Sequence, residues 1–472
     1  MRTLVPSTVL ALLIISTVPA SVPPEAWPGF RGPNTDGLAA DAKLPTSWTT
    51  IDNVAWAVDV PGRGWSSPIV WGETVYVTSA ISSGAFKQPS PGIYGNDYIA
   101  ELRAQGVSDD EIMKRVRARD NEFPSESDAI RYMVYAFDAK TGARRWERES
   151  HKGLPFGGRH RKNTYASETP ITDGERLYAY FGQNVGLFAY TLDGQPLWSR
   201  TWTPQPIYLD FGTASSPALH NGRLYLVQDS QEMSYLTIVD AKTGDEIVRR
   251  EREPSPSIMK SSWSTPFVWK HTERTEIITV GQGLVISYDL DGNELWRSRG
   301  LGHSSPTPLA SGGLLYVGTG AQSGDARRPF FAIRPGASGD ITLAEDATSN
   351  AHIAWVHPRA SGYTPSPIIH DGRAYLVHDT GILTVLRAET GEEIYRARLG
   401  GVGHTFSASP IAAGNRLYFP DEEGVTIVIE AGDEYREVAQ NDLGELLFAS
   451  PAVQGHAMFV RTESKLYRIE GK

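Results

Sequence analysis

The sequence predicts an all-β protein folded as an eight-bladed β-propeller with four-stranded antiparallel blades. Two observations carry this prediction: a motif that recurs eight times, and a strand-like segment near the N-terminus that completes the last copy. The 472 residues include 46 Gly, 31 Pro, 12 Trp and 20 Tyr. This mixture of turn-forming and aromatic residues is typical of many short strands joined by tight turns.

The first half of each repeat is a small polar residue and a proline, a few apolar residues, and a Gly-x-x-hydrophobic-Tyr pattern. The first copy, WSSPIVWGETVYVTS, begins at Trp65. A stretch between two landmark prolines is long enough for one blade, because four short antiparallel strands need about 40–45 residues. The landmark prolines are Pro68, Pro170, Pro217, Pro266, Pro306, Pro367, Pro410 and Pro451.

The second half of each repeat is a hairpin. In the first copy, YAFDAKTGARRW (residues 135–146), an alternating strand reaches a Gly-containing turn and resumes with a strand that carries Trp146. Such turns favour glycine because it tolerates positive φ. The eighth copy lacks its fourth strand. Asn53–Val58 (NVAWAV) supplies the missing pattern, with Trp56 in the Trp position. We therefore expect the N-terminal strand to close the ring without a covalent bond.

Four regions fall outside the regular repeat. Residues 81–130 are predicted to be a helical insertion in blade one, which is either a decoration, or a lid or docking surface. Residues 321–328 and 335–350 are expected to be blade loops. Residues 21–52 are an N-terminal extension, and the propeller is expected to cover residues 53–472.

The first 20 residues have the features of a signal peptide. Arg2 is followed by an apolar run at Val9–Val18 and by a small-residue cleavage site at Ala20. We expect a periplasmic or secreted monomer with no membrane span after cleavage. The formal charge of −10 and the absence of a basic block argue against a nucleic-acid partner. The absence of Cys excludes disulfides and thiolate metal sites.

The hairpin sequence Ala136-x-Asp138-x-x-Thr141-Gly142-x-x-x-Trp146 resembles the tryptophan-docking motif of the pyrroloquinoline quinone (PQQ) propeller family. The opening WPGFRGPNTDG, from Trp27, resembles exported bacterial members of the same repeat family. The resemblance implies a propeller in which each Trp packs between blades, and does not by itself imply the cofactor. The quinoprotein alcohol dehydrogenases of this family use a vicinal Cys pair, a Ca²⁺ site of Glu and Asn, and a catalytic Asp. Other members assist outer-membrane protein assembly, usually as lipoproteins anchored through a Cys. This chain has no Cys.

The residues that precede the landmark prolines are the main candidates for a binding site. Inner strands of a propeller begin at the central funnel, so these residues are expected to ring its mouth, or alternatively to plug the channel by packing. Such an aromatic funnel would suit a sugar, a peptide or a quinone-like ligand. The candidates are Trp65, Tyr165, Thr213, Trp263, His303, Tyr363, Phe406 and Phe448, with His404.

A basic cluster at residues 159–163, including Lys162 and Asn163, could reach the same rim together with Arg63. It would bind an anion there, or be an ordinary solvated loop. Asp229, Asp379 and Asp421 end second strands and could line one face.

No motif for nucleophilic, metal-dependent or nucleotide-dependent catalysis occurs. The sequence therefore favours a non-catalytic exported scaffold that binds an envelope protein, a small molecule or a glycan at its funnel face, with no cofactor. The alternatives are an exported oxidoreductase that uses PQQ with Ca²⁺ or another cofactor, and a polysaccharide-acting enzyme.

Overall fold

The propeller prediction is confirmed by the arrangement of sheets. The computed structural model describes residues 26–82, 101–108, 110–112, 114–115, 129–253, 260–281, 283–300, 305–320 and 328–471. These residues form eight sheets, each with a core of four antiparallel strands. Within this part of the chain, no helix is long and apolar enough to cross a membrane.

The strands follow the blades in chain order, with a 3₁₀ turn at Tyr208–Asp210 before blade three. The N-terminal strands are β1 (Leu38–Ala39) and β2 (Val54–Asp59). Blade one contains β3 (Ile69–Trp71), β4 (Thr74–Ser82), β5 (Ile130–Asp138) and β6 (Arg144–Gly153). Blade two contains β7 (Ile171–Thr172), β8 (Arg176–Tyr180), β9 (Leu187–Thr191) and β10 (Pro196–Arg200). Blade three contains β11 (Ala218–His220), β12 (Arg223–Asp229), β13 (Ser234–Asp240) and β14 (Glu246–Glu251). Blade four contains β15 (Phe267–Lys270), β16 (Thr275–Gly281), β17 (Leu284–Tyr288) and β18 (Glu294–Arg299).

The second half of the ring repeats the pattern. Blade five and its excursion contain β19 (Leu309–Ser311), β20 (Leu314–Gly318), β21 (Phe330–Ile333), β22 (Gly339–Asp340) and β23 (Ile353–His357). Blade six contains β24 (Ile368–His370), β25 (Arg373–Val377), β26 (Ile382–Arg387) and β27 (Glu393–Arg398). Blade seven contains β28 (Ile411–Ala413), β29 (Arg416–Pro420), β30 (Val425–Glu430) and β31 (Glu437–Asp442). Blade eight contains β32 (Ala452–Gln454), β33 (Ala457–Arg461) and β34 (Lys465–Glu470).

In several blades the recurring Trp and Tyr join the blade to the next one. The indole N–H of Trp146 in blade one donates to the carbonyl of Leu192 in blade two at 3.0 Å, and the Tyr76 hydroxyl donates to the same carbonyl. Trp355 and Tyr316 in blade five share the Ala388 carbonyl of blade six in the same way. The repeat motif therefore encodes contacts between blades, as the resemblance implies.

The glycine of each docking turn makes this contact possible. Gly194 has φ +85°, and a Cβ placed on it would lie 2.7 Å from the Trp146 ring. The indole therefore packs directly on the glycine backbone. Trp198 on Gly244 and Trp355 on Gly391 repeat the arrangement.

The ring closes through β2, which pairs antiparallel with β34 as the fourth strand of blade eight. Trp56 then donates from this strand to the Ala139 carbonyl of blade one and lies over Gly142. Closure by the N-terminal strand is thus confirmed.

The N-terminal extension crosses the channel, which the sequence did not predict. Trp27 exchanges two 2.8 Å backbone hydrogen bonds with Val70 of blade one, and Pro28 accepts one from Thr172 of blade two. The buried Arg31 side chain then donates to the Pro367 carbonyl in blade six, opposite blade two. Finally β1 pairs in parallel with β28, the innermost strand of blade seven. We call residues 27–39 the plug segment.

Two predicted details change. In blade five the inner strand begins at Leu309, directly after Pro308, just as Ile69 follows Pro68 in blade one. The landmark proline of this blade is therefore Pro308, and the assignment to Pro306 is wrong. The excursion predicted as a loop at residues 335–350 contains β22, which adds a fifth strand to blade four.

The insertion in blade one lies between its second and third strands, as predicted. Residues 101–104 and 110–112 are helical, and Leu102 and Ile112 are buried.

Candidate functional site

A cavity of about 500 Å³ lies on the propeller axis, and every blade contributes to its wall. Each blade supplies two residues to this wall: the residue immediately before its landmark proline and the residue three positions before that proline. The first set is Ser67, Thr169, Ser216, Thr265, Thr307, Ser366, Ser409 and Ser450, which we call the hydroxyl ring. The second set is Trp65, Ser167, Ala214, Trp263, Ser305, Thr364, Ser407 and Phe448, which we call the mouth ring.

The hydroxyl ring links neighbouring blades around the axis. The Ser67 N–H donates to Oγ1 of Thr169, whose own N–H donates to Oγ of Ser216. The same link recurs from Ser216, Thr307, Ser366 and Ser409 to the following blade, at distances of 2.8–3.1 Å. A small hydroxyl side chain is needed before each landmark proline because it satisfies an otherwise unpaired buried N–H.

The mouth ring carries two aromatic pairs on different sides of the axis. Trp65 of blade one packs against Phe448 of blade eight, with ring centroids 4.8 Å apart. Trp263 of blade four packs against Phe211 at 6.3 Å, and its indole N–H donates to the Gly212 carbonyl. Blade eight lies opposite blade four in an eight-membered ring. The two pairs therefore face one another across the cavity.

The plug segment closes one end. Phe30 belongs to it and lines the cavity. Because the segment pairs with the inner strands beyond the hydroxyl ring, the cavity is a pocket that is blind at this end.

Charged groups in the wall are arranged as internal pairs. The Lys162 ammonium lies 2.8 and 2.9 Å from the two Glu422 carboxylate oxygens. Glu422 also accepts hydrogen bonds from Thr405 and Ser407. Asp379 lies 2.7 Å from the His378 ring, beside Arg328. Burial, followed by the charge of Lys162, lowers the pKa of His160 to about 3, so this ring is neutral.

Several predicted residues meet at the cavity. Trp65, Trp263, Tyr363, Phe448, Lys162 and Asn163 all line it. Asn163 serves mainly to hold the wall, because its amide donates to the carbonyls of Phe211 and Thr213. Asp379 also lines the cavity, as the strand-end position suggested.

Other predicted residues lie elsewhere. Phe406 is fully buried in the core between blades six and seven and is not among the residues that line the cavity. Tyr165 packs on Tyr132 and donates to the Gly157 carbonyl. His404 is paired with Asp421 at 2.6 Å, and Arg63 forms an ion pair with Glu463. His303 lies outside the described residues.

Two of these candidates, Tyr165 and Phe406, do not occupy mouth-ring positions. Mouth-ring positions are fixed at three residues before the landmark proline, and Tyr165 and Phe406 are five and four residues before theirs. Residue spacing would have found Ser167 and Ser407 instead. Phe30 was missed because a single Phe carries no distinctive pattern. The small polar residue before each landmark proline was part of the repeat, but its position in the cavity wall was not predicted.

A quinone held with Ca²⁺ would need carboxylate or amide oxygens of the cavity wall as metal ligands. The described part of the chain has no group of three or more His, Asp or Glu positioned to hold a metal ion. The Glu422 carboxylate is occupied by an ammonium and two hydroxyls, so a cation could bind it only by displacing Lys162.

Comparison with known proteins agrees with the fold. A family model described as "Outer membrane protein assembly factor BamB" matches residues 129–328. No curated protein matches the chain.

Solved structures give the same architecture at low identity. BamB from Moraxella catarrhalis aligns with a TM-score of 0.51 and 12% identity, covering 72% of this chain and 89% of that one. The quinohemoprotein alcohol dehydrogenase of Comamonas testosteroni aligns with a TM-score of 0.57 and 12% identity, covering 95% of this chain and 81% of that one. The quinohemoprotein alcohol dehydrogenase ADHIIG of Pseudomonas putida HK5 aligns with a TM-score of 0.55 and 12% identity, and the alignment again covers 95% of this chain and 81% of that one.

The eight blades, the docking tryptophans and the axial cavity define a β-propeller built from PQQ-type repeats. The match to the family model covers residues 129–328, and the solved structures show that the chain shares the propeller fold of BamB and of the quinohemoprotein alcohol dehydrogenases.

Proposed function

We propose that this chain is a non-catalytic exported propeller that binds a small molecule in its axial cavity. The observation that carries the proposal is the blind pocket itself, closed by Phe30 and flanked by two opposed aromatic pairs. Its volume of about 500 Å³ lies within the range of small-molecule sites. Aromatic faces with a few fixed polar groups are the usual lining of such sites.

The enclosed shape favours a small ligand over a protein partner. A protein interface needs a broad surface of about 800 Å² on each side. The aromatic pairs instead lie inside the ring of blades, where Trp65 and Phe448 are buried. An envelope protein bound at the same face would contact only the rim.

Export is proposed from the signal-like residues 1–20, which lie outside the described residues. Fractionation of the native cells tests it directly. Recovery of the chain in the cytoplasm with an intact N-terminus would contradict export.

The second candidate is a cofactor-dependent oxidoreductase. It is favoured by the alignment with the quinohemoprotein alcohol dehydrogenases and by the carboxylates Asp379 and Glu422 in the cavity wall. Adding PQQ with Ca²⁺ and measuring dye-linked alcohol or sugar oxidation tests this candidate. Turnover with one bound quinone per chain would replace the scaffold proposal.

Native mass spectrometry of protein purified from its native host tests the scaffold proposal. We expect a co-purified compound that is retained by the wild type and lost from Trp65→Ala and Trp263→Ala. These variants remove the two stacking faces, and we expect binding to weaken at least about tenfold. Leu154→Ala, on the exposed surface, is the matched control. Equal retention by all the variants would show that the aromatic pairs are only packing.

A further inference from the structure

The hydroxyl ring leaves hydrogen-bond donors unused. In six of its links the side-chain oxygen accepts a backbone N–H, as for Thr169, Ser216 and Ser366. Among the described residues, none of these six hydroxyls donates to another protein group. The ring residues are nearly fully buried, with exposed fractions of 1–5%. Their O–H protons are therefore left for whatever occupies the cavity.

Two further donors lack partners. Among the described residues, the buried indole N–H of Trp65 has no hydrogen-bond acceptor, and neither has the buried Nε–H of Arg328. Both residues line the cavity. The described residues provide no ion pair to the Arg328 guanidinium within 4 Å, although Asp379 lies near enough to interact electrostatically.

The acceptors of the cavity are, by contrast, largely engaged inside the protein. Both Glu422 oxygens receive the Lys162 ammonium and a hydroxyl each. The Asn163 oxygen receives the Thr164 N–H and the Ser167 hydroxyl. Asp379 is the exception: its buried Oδ1 lies 2.7 Å from Nε2 of His378 but makes no hydrogen bond among the described residues. The unused hydrogen-bonding capacity is therefore mostly that of donors.

A buried donor left without an acceptor costs free energy, so a ligand that supplies acceptors is favoured over one that supplies more donors. The aromatic pairs Trp65–Phe448 and Trp263–Phe211 require an apolar body between them. The Arg328 guanidinium suits a carboxylate, because charge-assisted hydrogen bonds are the stronger kind.

We infer that the cavity selects a compact aromatic carboxylate, with the ring between the aromatic pairs and the carboxylate at the donor groups of Arg328 and the hydroxyl ring. This rests on the proposed small-molecule function and adds the chemical class of the ligand. The binding step forms no covalent bond.

Three probes of the same shape test the inference: 3-phenylpropanoate, 3-phenylpropanamide and 3-phenylpropylamine, measured by saturation-transfer NMR and calorimetry at millimolar concentration. We expect the carboxylate to bind about tenfold or more tightly than the amine, with the amide between them. Arg328→Gln should remove most of this preference while changing amide binding less than about twofold. Arg359→Gln, which removes an exposed arginine that is paired with Arg328 in a backbone bridge, is the control and should change nothing.

The outcomes separate the two claims. If the amine binds as well as the carboxylate, or Arg328→Gln leaves the preference intact, the inference is wrong and small-molecule binding still stands. If none of the probes binds but a co-purified compound is found, the inference is again wrong and the proposed function stands. If no probe binds and no compound co-purifies, both are wrong.

Discussion

At the scale of single residues, the wall of the cavity is supported by groups that never reach it. Glu168 lies between Ser167 and Thr169 in sequence, but its carboxyl is directed into the protein and is 1% exposed. Burial is the largest cause that raises the pKa of Glu168 to about 7, and its Oε1 has no hydrogen-bond partner. The protein therefore carries a buried acid next to its binding site.

This residue makes stability depend on pH. The folded state holds the Glu168 proton up to about pH 7, whereas an unfolded chain releases it near pH 4.5. The contribution of Glu168 to the free energy of unfolding is therefore complete below pH 4.5 and is lost as the pH rises through 7. The loss amounts to about 3 kcal/mol. We expect Glu168→Gln to be more stable than wild type at pH 8 and to lose this part of the pH dependence.

Urea unfolding of both proteins between pH 4.5 and 8 measures the effect. His160 titrates in the opposite direction, since its lowered pKa favours the folded state at higher pH, but it is present in both proteins and cancels in the difference. A constant difference between the two proteins across this range would show that Glu168 keeps an ordinary pKa.

At the scale of elements, the sequence predicts blades well because each blade is built from local signals. A proline precedes every inner strand, and in most blades a tyrosine follows in the second strand, eight residues after that proline. Several fourth strands carry a tryptophan. In blade five, Pro306 and Pro308 both fit the pattern of the landmark proline, so the sequence alone does not distinguish them. The pairing of Leu309 with Tyr316 shows that the inner strand follows Pro308. Trp296 departs from the docking rule: it donates to Glu276 within its own blade, beneath the added β22.

The docking glycines provide a test of blade packing. In Gly194→Ala the new Cβ would lie 2.7 Å from the Trp146 ring, at a φ of +85°. Gly222 has a similar φ of +70°, but nothing lies within 4 Å of the position of its Cβ. We expect Gly222→Ala to cost about 1 kcal/mol from backbone strain alone.

Gly194→Ala should lower the free energy of unfolding by about 1–3 kcal/mol more than Gly222→Ala does. The reason is that the Trp146 indole of blade one must move away from the new methyl group in blade two. The comparison uses the free energy of unfolding in urea for both variants. Equal losses would mean that the Trp146 contact adjusts freely and contributes little to blade packing.

At the scale of the whole molecule, the N-terminal region has two separate structural roles. The plug segment closes the floor of the cavity, and β2 closes the ring. The ring closure was predictable because Trp56 repeats the strand-four pattern, but the plug was not, since an irregular segment that pairs with several blades has no periodicity of its own.

Two truncations separate these roles. A chain that starts at Asp41 lacks the plug segment but keeps β2, and we expect it to unfold cooperatively at a lower midpoint and to release ligand faster. A chain that starts at Pro61 also lacks β2, so blade eight has three strands and Trp56 no longer packs on blade one. We expect it to lose cooperative unfolding, as followed by circular dichroism and size-exclusion chromatography. Similar behaviour of the two chains would contradict a special role for β2.

The strand that closes the ring also sets an order of events. Asp59 and Lys465, which form an ion pair across the joint, are 406 residues apart in the chain. Bringing such distant segments together costs about 5 kcal/mol of loop entropy, whereas every other blade folds from near neighbours. During synthesis β2 emerges first and has no partner until almost the last residues have been made. The molecule thus spends most of its assembly as an open arc with an unprotected edge, and the joint between its two ends is where we expect folding to finish and unfolding to start.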